Sequence, residues 1–175
     1  MNKNKSRALS LTLAAMFIAL NIVCTRFLAV YTPDKAFRIS LQFLPDALCG
    51  MILGPVWAMV SCVAADLLGM TLNSAGTMYY PGFTLSAAVQ GLLFGLILYK
   101  GRKSLKSCLL AVLAVTVVVD AGLNCVWLHD LYGTDWKALF SLRLPILALL
   151  FPVKTAVLYG TAKLVYRARL GSATE

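Results

Sequence analysis

The sequence predicts an all-α, polytopic membrane protein: one domain over 1–175, a bundle of six transmembrane helices with both termini cytoplasmic. Three observations carry this. Of its 175 residues 60% are hydrophobic and 13% charged, whereas a soluble domain carries about a quarter charged residues. The mean hydropathy is +0.80. Turn residues and charges divide the chain into apolar runs at about 8–31, 39–54, 56–73, 83–100, 106–129 and 139–166.

The first run follows a basic head, "MNKNKSR", and is free of charge from Ala8 to Thr25. That is roughly long enough to span a bilayer. More apolar runs follow, so it reads as a retained helix rather than a cleaved signal. The second run is short and contains Pro45 and Asp46. Gly54-Pro55 separates it from the third, and the two form a hairpin whose polar groups need protein or water around them. Between the third and fourth runs lies "TMYYPGFTLSA", residues 77–87, which has no charge. Pro81-Gly82 enforces a turn there, and Thr84 or Ser86 is placed to cap the helix that follows. This aromatic turn reads either as a lid over a pocket or as part of an interfacial aromatic belt. Gly50/Gly54 and Gly91/Gly95 present small faces suited to packing within the bundle.

Basic residues set the orientation. Lys3, Lys5, Arg7, Lys100, Arg102, Lys103, Lys106, Lys163, Arg167 and Arg169 all fall on one side, ten of the sixteen in the chain. The other side holds Lys35, Arg38 and Lys137. The net charge of +9 is therefore a topology signal with anionic membrane lipid as its neighbour, not a nucleic-acid surface.

Six ionisable residues fall inside the runs: Arg26, Asp46, Asp66, Asp120, Arg143 and Lys154. Such groups are costly in a membrane and face a cavity or a partner. At about 1.5 Å of rise per residue, five of the six cluster in the outer half. Asp120, Asn124 and Trp127 stand at i, i+4 and i+7, one face of a helix. Buried ion pairs that hold the bundle together are one reading; an outward-facing polar pocket is the other and accounts better for the clustering. Aromatic faces at Tyr79, Tyr80, Phe83 and Trp127 suit a flat ring. Carboxylates and amides suit a ring with several N–H and C=O groups. Arginines suit a carboxylate tail, which their fork can bind bidentately.

Other chemistries find little support. The five cysteines lie in apolar runs without a C-x-x-C, and His129 is the only histidine, so no metal site and no cofactor is expected. No G-x-x-x-x-G-K-[ST] occurs, so any ATP hydrolysis must come from another subunit. Ser61 or Ser86 with His129 would make an intramembrane hydrolase, and paired aspartates another, but no spacing supports either. A stand-alone secondary transporter would be longer and would show an inverted repeat.

The stretches "FLPDALCGMILGPVWAMVSCVAADLLG", "YYPGFTLSAAVQGLLFGL" and "LNCVWLHDLYG…LFSLRLP" resemble the S components of energy-coupling factor (ECF) vitamin transporters, the folate-specific ones in particular. The resemblance covers helices two to six. It implies a subunit in the bacterial plasma membrane that binds folate from outside and docks on a transmembrane coupling subunit and two ATPase subunits. It implies docking through an A-x-x-x-A element on helix one, matched here by Ala15 and Ala19. With it, Tyr79, Tyr80, Phe83 and Trp127 are expected to sandwich the pterin, and Asp66 and Asn124 to meet its hydrogen-bonding edge. Arg26, Arg38 and Arg143 are expected at ring carbonyls or glutamate carboxylates. Asp46, Asp120 and Lys154 fit a structural role equally well, and another vitamin is the alternative ligand.

Overall fold

The structure is a computed structural model and describes residues 3–27, 30–31, 38–72, 80–99, 105–133 and 135–171. Helices run over Lys3–Arg26 (α1), Phe43–Leu53 (α2), Pro55–Leu72 (α3), Pro81–Leu98 (α4), Leu105–Val115 (α5), Asn124–Tyr132 (α6) and Trp136–Gly171 (α7). A π-helical stretch, Thr116–Leu123, joins α5 to α6, so the described residues form six helical rods. Five rods are long and apolar enough to cross a membrane; α2, with 11 residues, is not. The protein is a multi-pass membrane protein, and its second expected span is a half-length helix.

Two short strands precede it. Val30–Tyr31 (β1) and Arg38–Ile39 (β2) pair antiparallel, Val30 opposite Ile39 and Tyr31 opposite Arg38. They take residues expected to end the first helix and begin the second. Pro45 falls in the first turn of α2, where its missing N–H costs no intrahelical bond. The helix stops where Gly54 adopts φ +98° and donates its N–H to Gly50 O at 3.2 Å. Pro55 then opens α3, a position its fixed φ suits.

Glycine sets how closely α2, α3 and α4 approach. A Cβ on Gly95 would lie 2.2 Å from Pro55 Cα, and one on Gly91 2.6 Å from the Ala58 carbonyl oxygen. The backbones touch where any side chain would wedge them apart. Phe43, Met51, Phe94, Leu98, Val112 and Leu158 join α2, α4, α5 and α7 in the main buried cluster. All five cysteines are free and buried. Leu11, Leu68, Leu96 and Leu149 are exposed on the bundle's outside, as a lipid-facing surface requires.

Candidate ligand-binding site

A cavity of about 330 Å³ lies between the C-terminal end of α1, the start of α2, and the facing parts of α3, α4, α5–α6 and α7. These are the ends of the bundle away from the N-terminus. Arg26, Asp46, Asp66, Asp120, Arg143 and Lys154 all line it. All six of these residues thus reach one cavity.

A network from three helices surrounds Asp46, which is 5% exposed. Its Oδ1 accepts from the Asn21 amide of α1, and its Oδ2 accepts from Gln90 Nε2 of α4 at 2.7 Å. The Asn21 Oδ1 in turn accepts from Thr25 Oγ1 at 3.0 Å. A carboxylate buried this deeply needs both oxygens satisfied, and here two amides do it. Asp46 belongs to the framework of the wall.

Asp66 on α3 accepts from Thr84 Oγ1 on α4 at 2.8 Å. Thr84 or Ser86 was expected as a helix cap; Thr84 reaches across to α3 instead, and α4 begins at Pro81, after Tyr80, without a side-chain cap. Arg26, 8% exposed, runs along Gly69: a Cβ there would lie 3.0 Å from Arg26 Nε. Glycine at this point is the groove that lets a guanidinium enter the bundle.

The π segment shapes the opposite wall. Its i→i+5 pattern takes in about one more residue per turn than an α-helix and is found at functional sites. Asp120 sits inside it, its carboxylate 2.9 Å from Lys154 Nζ. Arg143 Nη1 donates to the Asp120 main-chain oxygen at 3.2 Å. One residue of the π segment therefore engages two cations of α7, one through its side chain and one through its backbone. Arg143 lies farther into its helix than the run expected at 139–166 implies, because α7 begins at Trp136.

The wider turn also changes which side chains share a face. Asp120 and Asn124 line the cavity; Trp127 does not. Its indole Nε1 donates to Ser86 Oγ at 3.0 Å, and Ser86 lines the cavity. Trp127 stands one layer back, 5.8 Å from the Tyr80 ring, with Tyr80 in turn 6.1 Å from Phe83. Both Tyr80 and Trp127 close over Gly82, where a Cβ would come within 2.5 Å of each ring. Of Tyr80, Phe83 and Trp127, the described members of the expected aromatic set, Phe83 is the one on the cavity surface, which Phe43 and Phe94 share. Tyr79 lies outside the described residues, as do 77 and 78 of the aromatic turn, while Pro81 onward is the first part of α4. Arg38 is placed in β2, opposite Tyr31.

Asn21, Thr25, Gln90 and Thr116 also line the cavity and were not expected there. Each is an uncharged polar residue inside an apolar run, and that interruption is the signal by which they could have been found.

A multi-pass helical bundle enclosing a polar, charge-lined cavity is a membrane-embedded binding protein. The family model for "ECF transporter, substrate-specific component" matches residues 9–167, and the chain belongs to that family. It is a substrate-binding transport subunit, not an enzyme. It is 42% identical over 153 residues to the Folate transporter FolT of Clostridium novyi (strain NT), covering 87% of each chain. It is 30% identical over 153 residues to the Folate transporter FolT of Leuconostoc mesenteroides subsp. mesenteroides, covering 84% of this chain and 80% of that one. Among solved structures it resembles FolT bound with folic acid, with a TM-score of 0.81, 35% identity, and coverage of 88% of this chain and 92% of that one.

Proposed function

We propose that this chain is the folate-binding S subunit of an ECF-type ABC importer. It takes folate from outside the cell into the cavity and delivers it through an ATPase-coupled module. The observation that carries this is a charged and amide-lined cavity in a chain that shares its fold with, and is 35% identical to, a FolT structure bound with folic acid. Folate is a flat heterocycle with N–H and C=O groups on an acidic tail, and the wall offers matching groups. Phe83 gives a ring face to the pterin, backed by Tyr80 and Trp127, with Tyr79 adjacent in sequence as a further candidate. Asp66 and Asn124 meet the ring's polar edge. Arg26, Arg143 and, from the hairpin, Arg38 serve ring carbonyls and the glutamate carboxylates.

The partners in this reading are a transmembrane coupling subunit and two ATPase subunits. Ala15 and Ala19 are exposed on α1, four residues apart, a face on which another helix can seat closely. Both termini lie in the cytoplasm, where the basic residues collect, and the whole chain acts as one domain.

The test is folate titration of the purified chain in detergent, read by tryptophan fluorescence, with riboflavin, thiamine, biotin and pantothenate as competitors. Tight, folate-selective binding without ATP is expected. No binding by folded protein, or selectivity for another vitamin, overturns the folate assignment.

A further inference from the structure

Thr116 departs from the other described helical threonines of this chain, whose hydroxyls all find a partner: Thr25 donates to Asn21 Oδ1 and Thr84 to Asp66 Oδ2. Thr12, Thr155 and Thr161 each donate their hydroxyl to the carbonyl four residues back, Ala8 O at 3.0 Å, Phe151 O at 2.8 Å and Val157 O at 3.0 Å. This is the ordinary way for a hydroxyl to be satisfied in an apolar helix. Thr71 bonds Leu68 O, three back, at 2.8 Å. Thr116 Oγ1 is buried and has no hydrogen-bond partner among the described residues.

Its position explains what the hydroxyl faces. Thr116 is the first residue of the π segment, one turn before Asp120, and it lines the cavity. Asn124, one turn after Asp120, lines it too, and its Oδ1 is likewise buried without a partner among the described residues. Between them, the Asp120 carboxylate is occupied by Lys154. One cavity-facing strip thus carries a satisfied carboxylate with an unsatisfied oxygen on either side. The neighbours of Thr116 on the cavity wall, Val112, Val115 and Val119, offer it nothing. A buried polar group left unpaired is costly, and one on the wall of a binding cavity finds its partner in the ligand.

We infer that the Thr116 hydroxyl makes a direct hydrogen bond to the bound ligand and is a specificity-determining residue of the site. Thr116 lies farther from the cavity's arginine-bearing end than Asp120 does, so the group it reads is on the part of the ligand that enters deepest. That group is a ring N–H or carbonyl, not the carboxylate tail. The ligand's identity here rests on the folate reading; the role of the hydroxyl does not.

The experiment compares wild type, Thr116→Val and Thr116→Ser in detergent, by folate titration and by thermal unfolding without ligand. Valine keeps the shape and removes the hydroxyl; serine keeps the hydroxyl. T116V is expected to bind folate about five- to tenfold more weakly and T116S within about twofold of wild type. Ligand-free T116V is expected to melt at the wild-type temperature or above it, because the hydroxyl it loses is unpaired in the empty protein. Wild-type affinity in T116V overturns the inference, and so does a lowered melting temperature of its ligand-free form, which would mark a structural hydroxyl. If wild type binds no folate, the folate reading fails by itself, and the ligand-free melts still decide whether the hydroxyl is unpaired.

Discussion

The carboxylate of Asp120 and the ammonium of Lys154 meet at 2.9 Å across the cavity wall, each about one-fifth exposed. Exposed ion pairs contribute about 0–1 kcal/mol, whereas breaking a fully buried one costs about 3–5 kcal/mol. This pair lies between those limits. Asp120→Asn should therefore destabilise the protein by about 1–3 kcal/mol, because it strands Lys154 in a low-dielectric wall. Adding Lys154→Gln removes the stranded cation and should recover most of the loss. Thermal unfolding of the two single variants and the double variant measures this, and strictly additive losses would show that the pair is not coupled.

Asp46 supports a sharper contrast. Both of its oxygens accept from amides, and Asn21 in turn accepts from Thr25. Gln90 makes no second side-chain bond to a described residue and can present its oxygen instead of its nitrogen to a new amide. Asp46→Asn should thus cost only about 1 kcal/mol. Asp46→Leu leaves two buried amides without acceptors and should cost about 2–4 kcal/mol. Equal melting temperatures for the two variants would refute the network as the reason Asp46 is there.

Much of this arrangement is visible in the sequence, and the limits have physical causes. Arg26, Asp66, Asp120, Asn124 and Arg143 were expected in a pocket because charge and amide inside an apolar run have nowhere else to go, and all five line one cavity. Trp127 was expected on the same face as Asp120 from α-helical spacing. The π segment widens the helix between them, and an i→i+5 pattern leaves no signature in residue type. The clamp on Asp46 was out of reach for a different reason. It needs Asn21, Asp46 and Gln90, far apart in the chain, to arrive at one point. The ends of α1 and α2 were misjudged because Val30–Tyr31 and Arg38–Ile39 pair with each other, a contact that hydropathy does not report.

Two glycine substitutions should act in opposite directions. Gly95→Ala would place a Cβ 2.2 Å from Pro55 Cα. Backbone cannot give way as a flexible side chain does, so α3 and α4 must separate at a cost on the order of 3 kcal/mol. Gly160→Ala, inside α7, meets nothing within 4 Å and should stabilise the helix by about 0.5–1 kcal/mol. Melting temperatures in detergent decide both, and a tolerated G95A would mean that α3 and α4 are less closely apposed than described.

Trp127 is the optical reporter of the site. The other tryptophans, Trp57 and Trp136, are 37% and 42% exposed, and neither lines the cavity. Trp127 is tied by its indole N–H to Ser86, a cavity residue, and so senses a bound ring through one intervening side chain. Trp127→Phe should abolish most of the folate-dependent fluorescence change, whereas Trp57→Phe and Trp136→Phe should keep it. The affinity of W127F, measured by calorimetry, should fall only about three- to tenfold, the worth of one hydrogen bond that orients Ser86. A loss of a hundredfold or more would instead place the indole directly against the ligand, with the ring turning into the cavity on binding.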